Sequence, residues 1–409
     1  MFEYASHERF LYNLSVEQFE FAVRCRAYAA HPDEAVKSRQ HWPHSPERMR
    51  QLTELRAELD WLRAGCQTAQ QQALRIVDTA YANWWKNPSH FRRPTFRSKF
   101  DAQRFGLAGA NNFNLRQVNA RWGEVRVPKI GWVRFRLTRP WPEVSAAKAT
   151  SCRFTLDPSG RWHVSFPSAQ PPIDRAATGA VVGIDRGVAN TLAASNEVMH
   201  HAPTLSAKEA ERARRLERHL ARQQKDSKHR ERTRSRKARL TATLVDRRRA
   251  WIEETTTQMV RDYDVIVVEH LRIANMTRSA KGTVEKPGTN VAAKSGLNRA
   301  ILAQCWGLWL QRLKEKAATC GVLVIEVPSR NTSRECRSCG HVAANNRQSQ
   351  ALFVCESCSY ERHADTNAAQ NILEREMKNL GLTDGHAVTA RGDSGLPGSV
   401  KREALKAVA

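Results

Sequence analysis

The stretch from 336 to 371 constrains this chain more than any other. Cys336-x-x-Cys339 and Cys355-x-x-Cys358 stand fifteen residues apart, and the run HADTNAAQNI follows closely. Four thiolates at that spacing can close a tetrahedral zinc shell, whereas the carboxylate of Asp365 offers the hard oxygen that magnesium or manganese prefers. A closed thiolate site builds structure and a hard-cation carboxylate suits phosphoryl chemistry, so their adjacency points to cutting of nucleic acid.

Charge agrees from an independent direction. Among 409 residues, 66 Lys and Arg against 41 Asp and Glu leave a formal net charge of +25, which suits a polyanionic partner. The length allows several domains, and 41% hydrophobic residues are enough for true cores. Cys25, Cys66, Cys152, Cys305 and Cys320 are scattered singly, which argues against a disulfide framework and for a reducing, cytoplasmic setting. No apolar run approaches the roughly 18 residues a membrane span needs, and the N-terminus does not read as a signal peptide.

The chain's texture changes several times. Residues 1–88 read as helical, from apolar positions Phe10, Leu14, Phe19 and Val23, a second set at Leu52, Leu55, Leu59 and Leu62, and a third helix stopping near Pro88; the run HPDEAVKSRQHWPHSPE reads as a loop. Residues 89–178 carry short strand-like runs, EVRVP, WVRFRLTRP, SCRFTLD and RWHVSFP, which predict a small β-barrel or sandwich. Within 90–139 there are 12 Lys or Arg and 2 acids, interleaved with Phe91, Phe96, Phe100, Phe105, Phe113, Trp122, Trp132 and Phe135. The aromatics read as barrel core in preference to base-stacking platforms, and the arginines, lacking acids nearby, read as facing phosphate.

Further on, VVGIDRGVANTLAAS sets Asp185 at the end of an apolar strand, and DVIVVEHL does the same for Glu269; such acids are costly there unless paired or metal-bound. Between them, 205–262 reads as helical, and 205–250 carries 17 basic and 6 acidic residues, a nucleic-acid-facing arm in preference to a solvated hairpin. A loop from Arg278 to about Leu297 is expected as a lid or a substrate-contacting segment, followed by one amphipathic helix through RAILAQCWGLWLQRLKEKAATCG and the strand VLVIEVP. Beyond about 376 a poorly ordered tail is expected.

Strand with Asp, strands, helices, strand with Glu, helix, strand, then a helix with Asp is the element order of a ribonuclease H-like fold. In such a fold three distant carboxylates, here Asp185, Glu269 and Asp365, converge at one end of a sheet to hold two divalent cations about 3.5 to 4 Å apart.

The sequence resembles the transposon-encoded TnpB proteins and the miniature type V CRISPR effectors of the Cas12 kind. VVGIDRGVANTLAAS looks like their first RuvC motif, VIVVEHLRIANM the second and HADTNAAQNI the third. TSRECRSCGHV and FVCESC are similar to their zinc ribbon, and the likeness extends through FRRPTFRSKF, GEVRVPKIGWVRFRL and the arginine-rich arm.

The resemblance implies an RNA-guided DNA endonuclease: a guide RNA (crRNA or transposon-end RNA) selects double-stranded target DNA beside a short flanking motif, and one RuvC site cuts both strands. It implies an α+β multidomain architecture: a helical recognition domain (1–88), a β-barrel wedge (89–178), a RuvC part with a basic arm at 205–262 (179–334), a zinc-ribbon insert (335–359), a second RuvC part (360–376) and a tail (377–409). Asp185, Glu269 and Asp365 would hold two Mg²⁺, with Mn²⁺ as a substitute, and Cys336, Cys339, Cys355 and Cys358 one Zn²⁺. Arg347 matches a family arginine near the active site, although an exposed ribbon arginine is an equal reading. Asn367 and Asn371 read as orienting backbone or Asp365. Arg92, Arg93, Arg97, Lys99, Arg247, Arg248 and Arg249 are the nucleic-acid contacts, and a cytoplasmic, nucleoid-associated location follows.

One departure stands out. The pattern Arg9, Tyr12, Asn13 lies almost at the start, where TnpB chains usually first have a short strand and an RLYP-like segment, so the first barrel strand reads as missing. Three other functions compete. A guided DNA-binding repressor that no longer cuts has no need of the acids at 185, 269 and 365. A transposase or recombinase calls for a helix-turn-helix signature that is not evident. A basic ribosome-associated zinc-ribbon protein leaves the two strand-terminal acids unexplained.

Overall fold

A computed structural model of the protein describes residues 1–28, 43–138, 141, 149–167 and 173–379. They fall into two compact units, Met1–Gln170 with Leu216–Arg239, and Pro171–Arg215 with the chain from Leu240. Most of the expected loop at 31–47, and the expected tail from 380 on, lie outside the described residues.

In the first unit, helix α1 (Phe2–Tyr28) packs on α4 (Gln67–Lys86), with α2 (Ser45–Glu58) and the short α3 (Asp60–Ala64) between them in sequence. The buried stripe of α1 is Leu11, Tyr12, Val16 and Phe19, at helical spacing. It is rotated from the one expected, because Phe10 faces solvent. Phe19 stacks on Tyr81 of α4 with ring centroids 4.2 Å apart.

The strands that follow are β1 (Arg104–Ala108), β2 (Asn114–Asn119), β3 (Trp122–Val127), β4 (Gly131–Arg136), β5 (Ser151–Leu156) and β6 (Trp162–Ser165). They form two three-stranded antiparallel sheets, ordered β1-β5-β6 and β2-β3-β4, around a shared core of Phe105, Val125, Val127 and Phe154. Among the described residues these sheets do not close into the expected barrel. The aromatic expectation is also corrected. Phe105 and Phe113 are buried, but Phe91, Phe96, Phe100, Trp122 and Trp132 are exposed.

The second unit is built on a five-stranded sheet ordered β11-β10-β7-β8-β9, from β7 (Val181–Asp185), β8 (Leu192–Ala194), β9 (Met199–His200), β10 (Val265–His270) and β11 (Leu323–Pro328). β10 runs parallel to β7 and β11, whereas β8 and β9 are antiparallel. The central strands are apolar without alternation because both faces are covered. Val182, Ile184, Ile266 and Val268 point into a core with Ile252 and Met259 of α6 (Lys228–Asp262) and Trp309 and Leu313 of α9 (Trp306–Cys320). Val265 and Val267 on the other face meet Ile372 of α10 (Ala364–Asn379). Gly183 permits that packing: a Cβ there would lie 2.2 Å from the Ala369 carbonyl and 2.8 Å from Leu373 Cβ.

The 205–262 region is helical as expected, in two helices, α5 (Ala207–Arg222) and α6, separated where Asp226 takes a left-handed conformation. The expected lid is shorter, running from the end of α7 (Ile273–Met276) to Asn290, and α8 (Val291–Ala303) begins within it. The single helix expected after it is broken at Cys305, whose φ of 57° turns the chain into α9. No helix is long and apolar enough to cross a membrane among the described residues.

Candidate metal centres and nucleic-acid contacts

The four cysteines converge. Their Sγ atoms all lie within 4.8 Å of one another, the one group of three or more His, Cys, Asp or Glu this tight among the described residues. Cys336 and Cys355 are buried, and Cys339 and Cys358 are exposed. Each pair forms the same knuckle. The Cys336 N–H donates to the His341 carbonyl at 2.9 Å and the Cys355 N–H to that of Tyr360 at 2.9 Å, while Gly340 and Ser359 donate back to the first cysteine's carbonyl. Gly340 and Ser359 occupy the same position, both with positive φ (74° and 56°). In each knuckle burial disfavours the first cysteine's thiolate, whereas the backbone N–H groups two and three residues on (Ser338 and Cys339, Ser357 and Cys358) face that sulfur and favour it; burial wins at Cys336, pushed up to about 12, and the Cys355 thiol is lowered to about 6. Four soft donors in a closed shell, held by repeated backbone turns, fit a structural zinc ion.

The three acids are assembled by topology. Odd-numbered positions of β7 and β10 face α10, so alternation carries Asp185 and Glu269 to that face, one step beyond the paired residues Ile184 and Val268. Asp365 arrives there in the first turn of α10. All three are buried, to 9%, 6% and 3% exposure. Burial, then repulsion from Glu269 and Asp365, pushes the Asp185 carboxyl up to about 8, although Arg347 and the Arg186 backbone draw it down. Burial likewise raises Glu269. Three mutually repelling buried carboxylates suit hard divalent cations, and they are gathered more loosely than the thiolates.

Arg347 donates to Asp365 Oδ1 at 2.8 Å, which joins the ribbon to the acid cluster. Asn367 and Asn371 instead hold backbone: Asn367 accepts from the Arg337 N–H at 3.1 Å and donates to the Glu335 carbonyl, and Asn371 donates to the Thr332 and Glu335 carbonyls.

Three supporting residues were not anticipated. Asn190 donates to Asp365 Oδ2 at 2.9 Å, Thr332 donates to Glu269, and Arg186 donates to the Glu269 carbonyl. The Asn190 turn is clamped by Gln304, which accepts from Thr191 Oγ1 at 2.6 Å, and by Trp306, whose indole N–H donates to the Thr191 carbonyl. The helix break at Cys305 sets those two side chains in place.

The expected phosphate contacts divide. Arg93 pairs with Glu20, and Arg97 pairs with the buried Glu8 at 3.0 Å while lying 3.4 Å above the Tyr12 ring. These arginines therefore do have acidic partners, a correction that arises because both acids sit on α1. Arg92 and Lys99 are exposed. Arg247 makes two 2.8 Å bonds to Glu209, Arg248 donates to the Pro203 carbonyl at 3.1 Å, and Arg249 is exposed.

Together these features define a mixed α+β protein with a thiolate centre beside a buried acid cluster. Residues 165–280 match the family model described as "Probable transposase", and 306–372 match the Cas12f1-like TNB domain. A protein of Escherichia coli (strain K12) named "Putative RNA-guided DNA endonuclease InsQ" is 34% identical over 341 residues, 82% of this chain and 79% of the relative. The Cas12f1 CRISPR-associated endodeoxyribonuclease of Sulfoacidibacillus thermotolerans is 44% identical over 62 residues, 15% of each chain. A solved Cas12f1-sgRNA-target DNA complex matches with a TM-score of 0.52 at 13% identity, covering 91% of this chain and 81% of that one, and so shares the fold. The chain belongs to the TnpB and Cas12f1-like family of RNA-guided DNA endonucleases.

Proposed function

We propose that the protein is an RNA-guided DNA endonuclease of the RuvC type, which uses Asp185, Glu269 and Asp365 as its catalytic carboxylates. The observation that carries this reading is their convergence on one face of the sheet under α10. The strand order supports a ribonuclease H-like core, with the helical, wedge and zinc-ribbon segments at 1–88, 89–178 and 335–359 as its accessory domains.

Two Mg²⁺ ions held by the three acids would supply an activated water and stabilisation of the leaving oxygen. The chain's own residues do the positioning. Asn190 fixes one oxygen of Asp365, Thr332 orients Glu269, and Arg347 brings a permanent positive charge to where a scissile phosphate would lie. Guide RNA supplies sequence reading, and the exposed basic residues, Arg92, Lys99 and Arg249 among them, hold backbone phosphates.

The test is cleavage of a plasmid bearing the guide-matched sequence and a randomised flank by protein carrying its co-purifying RNA. Cutting that needs both Mg²⁺ and the matching sequence supports the reading; binding without cutting supports the repressor. Sequencing the RNA separates a repeat-derived guide from a transposon-end transcript.

A further inference from the structure

The segment from Phe91 to Arg104 is held firmly yet leaves its apolar side chains in water. Asn13 clasps the backbone of Arg97 from both sides, accepting from its N–H at 2.8 Å and donating to its carbonyl at 2.9 Å. The Arg97 guanidinium is fixed between Glu8 and the Tyr12 ring, and Pro94 is buried. Tyr12 and Asn13, two residues of the N-terminal pattern, thus act as a clamp. On this clamped segment Phe96 is 59% and Phe100 86% exposed, the latter with Lys99 Nζ 5.1 Å from its ring centroid.

A rigid display of aromatic surface is costly unless something flat and apolar covers it. Its surroundings narrow the choice. Arg92 and Lys99 are exposed with no carboxylate partner among the described residues. Along the same segment opens a cleft of about 260 Å³ lined by both signs of charge, Glu8 and Asp101 with Arg9, Arg97 and Arg104, the last two facing Glu8, so the free cations of the segment are Arg92 and Lys99. Flat apolar rings beside unneutralised cations match a nucleic acid whose bases are unpaired, since paired bases have no free face to offer.

We propose that Phe96 and Phe100 are stacking platforms for unpaired nucleotides of the guide RNA, with Arg92 and Lys99 taking the adjoining phosphates. This rests on the proposed RNA-guided function and adds a binding site to it. RNA is the occupant because the exposed rings need cover throughout the protein's life, and a guide must already be bound when DNA is first met.

The experiment takes the full chain purified with its cellular RNA, irradiates it with ultraviolet light and maps nucleotide adducts by mass spectrometry. Ribonucleotide adducts should fall on the peptide containing Phe96 and Phe100. In parallel, nucleic-acid-free protein is titrated with fluorescein-labelled oligouridine and with a blunt RNA duplex. Phe96→Ala/Phe100→Ala should weaken oligouridine binding about tenfold or more with an unchanged salt slope, and Phe96→Trp/Phe100→Trp should retain it. Lys99→Ala should instead lower the slope by about 0.7. Thermal unfolding should stay the same in all three variants, because these side chains are solvent-facing. Unchanged affinity in the double alanine variant, equal loss on the blunt duplex, or adducts with deoxynucleotides alone would each overturn the proposal. None of these outcomes touches DNA cleavage through Asp185, so failure here is separable from failure of the endonuclease reading.

Discussion

The cysteine cluster and the acid cluster meet at the start of α10 but are built in opposite ways. The four thiols lie within 23 consecutive residues, and two local turns with the same hydrogen bonds create the site. The acids are drawn from positions 185, 269 and 365 by a sheet, a helix and one glycine. A local site tolerates change elsewhere and fails when a ligand is lost; a topological site depends on many residues that never touch its ligand. The largest effect should therefore come from a direct ligand. Asp185→Ala or Asp365→Ala should take guide-matched cleavage below detection while leaving guide-dependent DNA binding intact, measured by gel cleavage and mobility shift. Cutting by Asp185→Ala at near the parent rate would break the comparison at its root.

The second test asks whether the two sites are independent. Cys355→Ser should release zinc, read by elemental analysis, because a three-thiolate shell loses much of the roughly 10–16 kcal/mol that such sites contribute. Arg347 and Thr332 reach the acids from either side of the first knuckle, so cleavage should fall too. A zinc-free, fully active variant would show that the bonds of Arg347 and Thr332 to Asp365 and Glu269 do not depend on the ribbon.

Proton linkage sharpens the acid side. In metal-free protein Asp185 keeps its proton to about 8, whereas unfolded chain releases it near the ordinary 3.8. The folded state then binds the extra proton, so this carboxyl's contribution to stability is full below about pH 4 and is lost as pH rises through about 8. With chelator present, Asp185→Asn should flatten that fall and raise the unfolding temperature at pH 8. Parallel pH profiles for the two proteins would mean that the carboxyl is not held neutral.

Asn190 tests the supporting layer. Asn190→Ala frees one oxygen of Asp365 and should cost about 10- to 100-fold in the Mg²⁺ concentration needed for cleavage, with Mn²⁺ affinity measured without DNA falling in step. Loss of rate at unchanged metal affinity would assign it to substrate instead.

Legibility follows the same divide. Cysteine spacing and strand-terminal acids are visible because each is a short-range pattern. Asn190, Thr332 and Gln304 are ordinary polar residues until the fold brings them to Asp365, Glu269 and Thr191. The partners of Arg93 and Arg97 lie more than 70 residues away on α1. The break at Cys305 carries no proline, and strands β1 and β2 have little alternation to reveal them.

The smallest expected effect compares the two knuckles with each other. Gly340 and Ser359 share a role and a left-handed backbone, yet one is glycine and the other is not. A Cβ added at Gly340 meets nothing within 4 Å, so Gly340→Ser should cost only the left-handed penalty, roughly 1 kcal/mol, with zinc retained. Ser359→Gly relieves that penalty in the second knuckle but gives the unfolded chain more freedom, roughly 0.5–1 kcal/mol, so its net gain should be near zero. Chelator-driven zinc loss followed against temperature would measure both. If Gly340→Ser released zinc outright, the first knuckle would need glycine for space, and the two halves of the ribbon would not be equivalent.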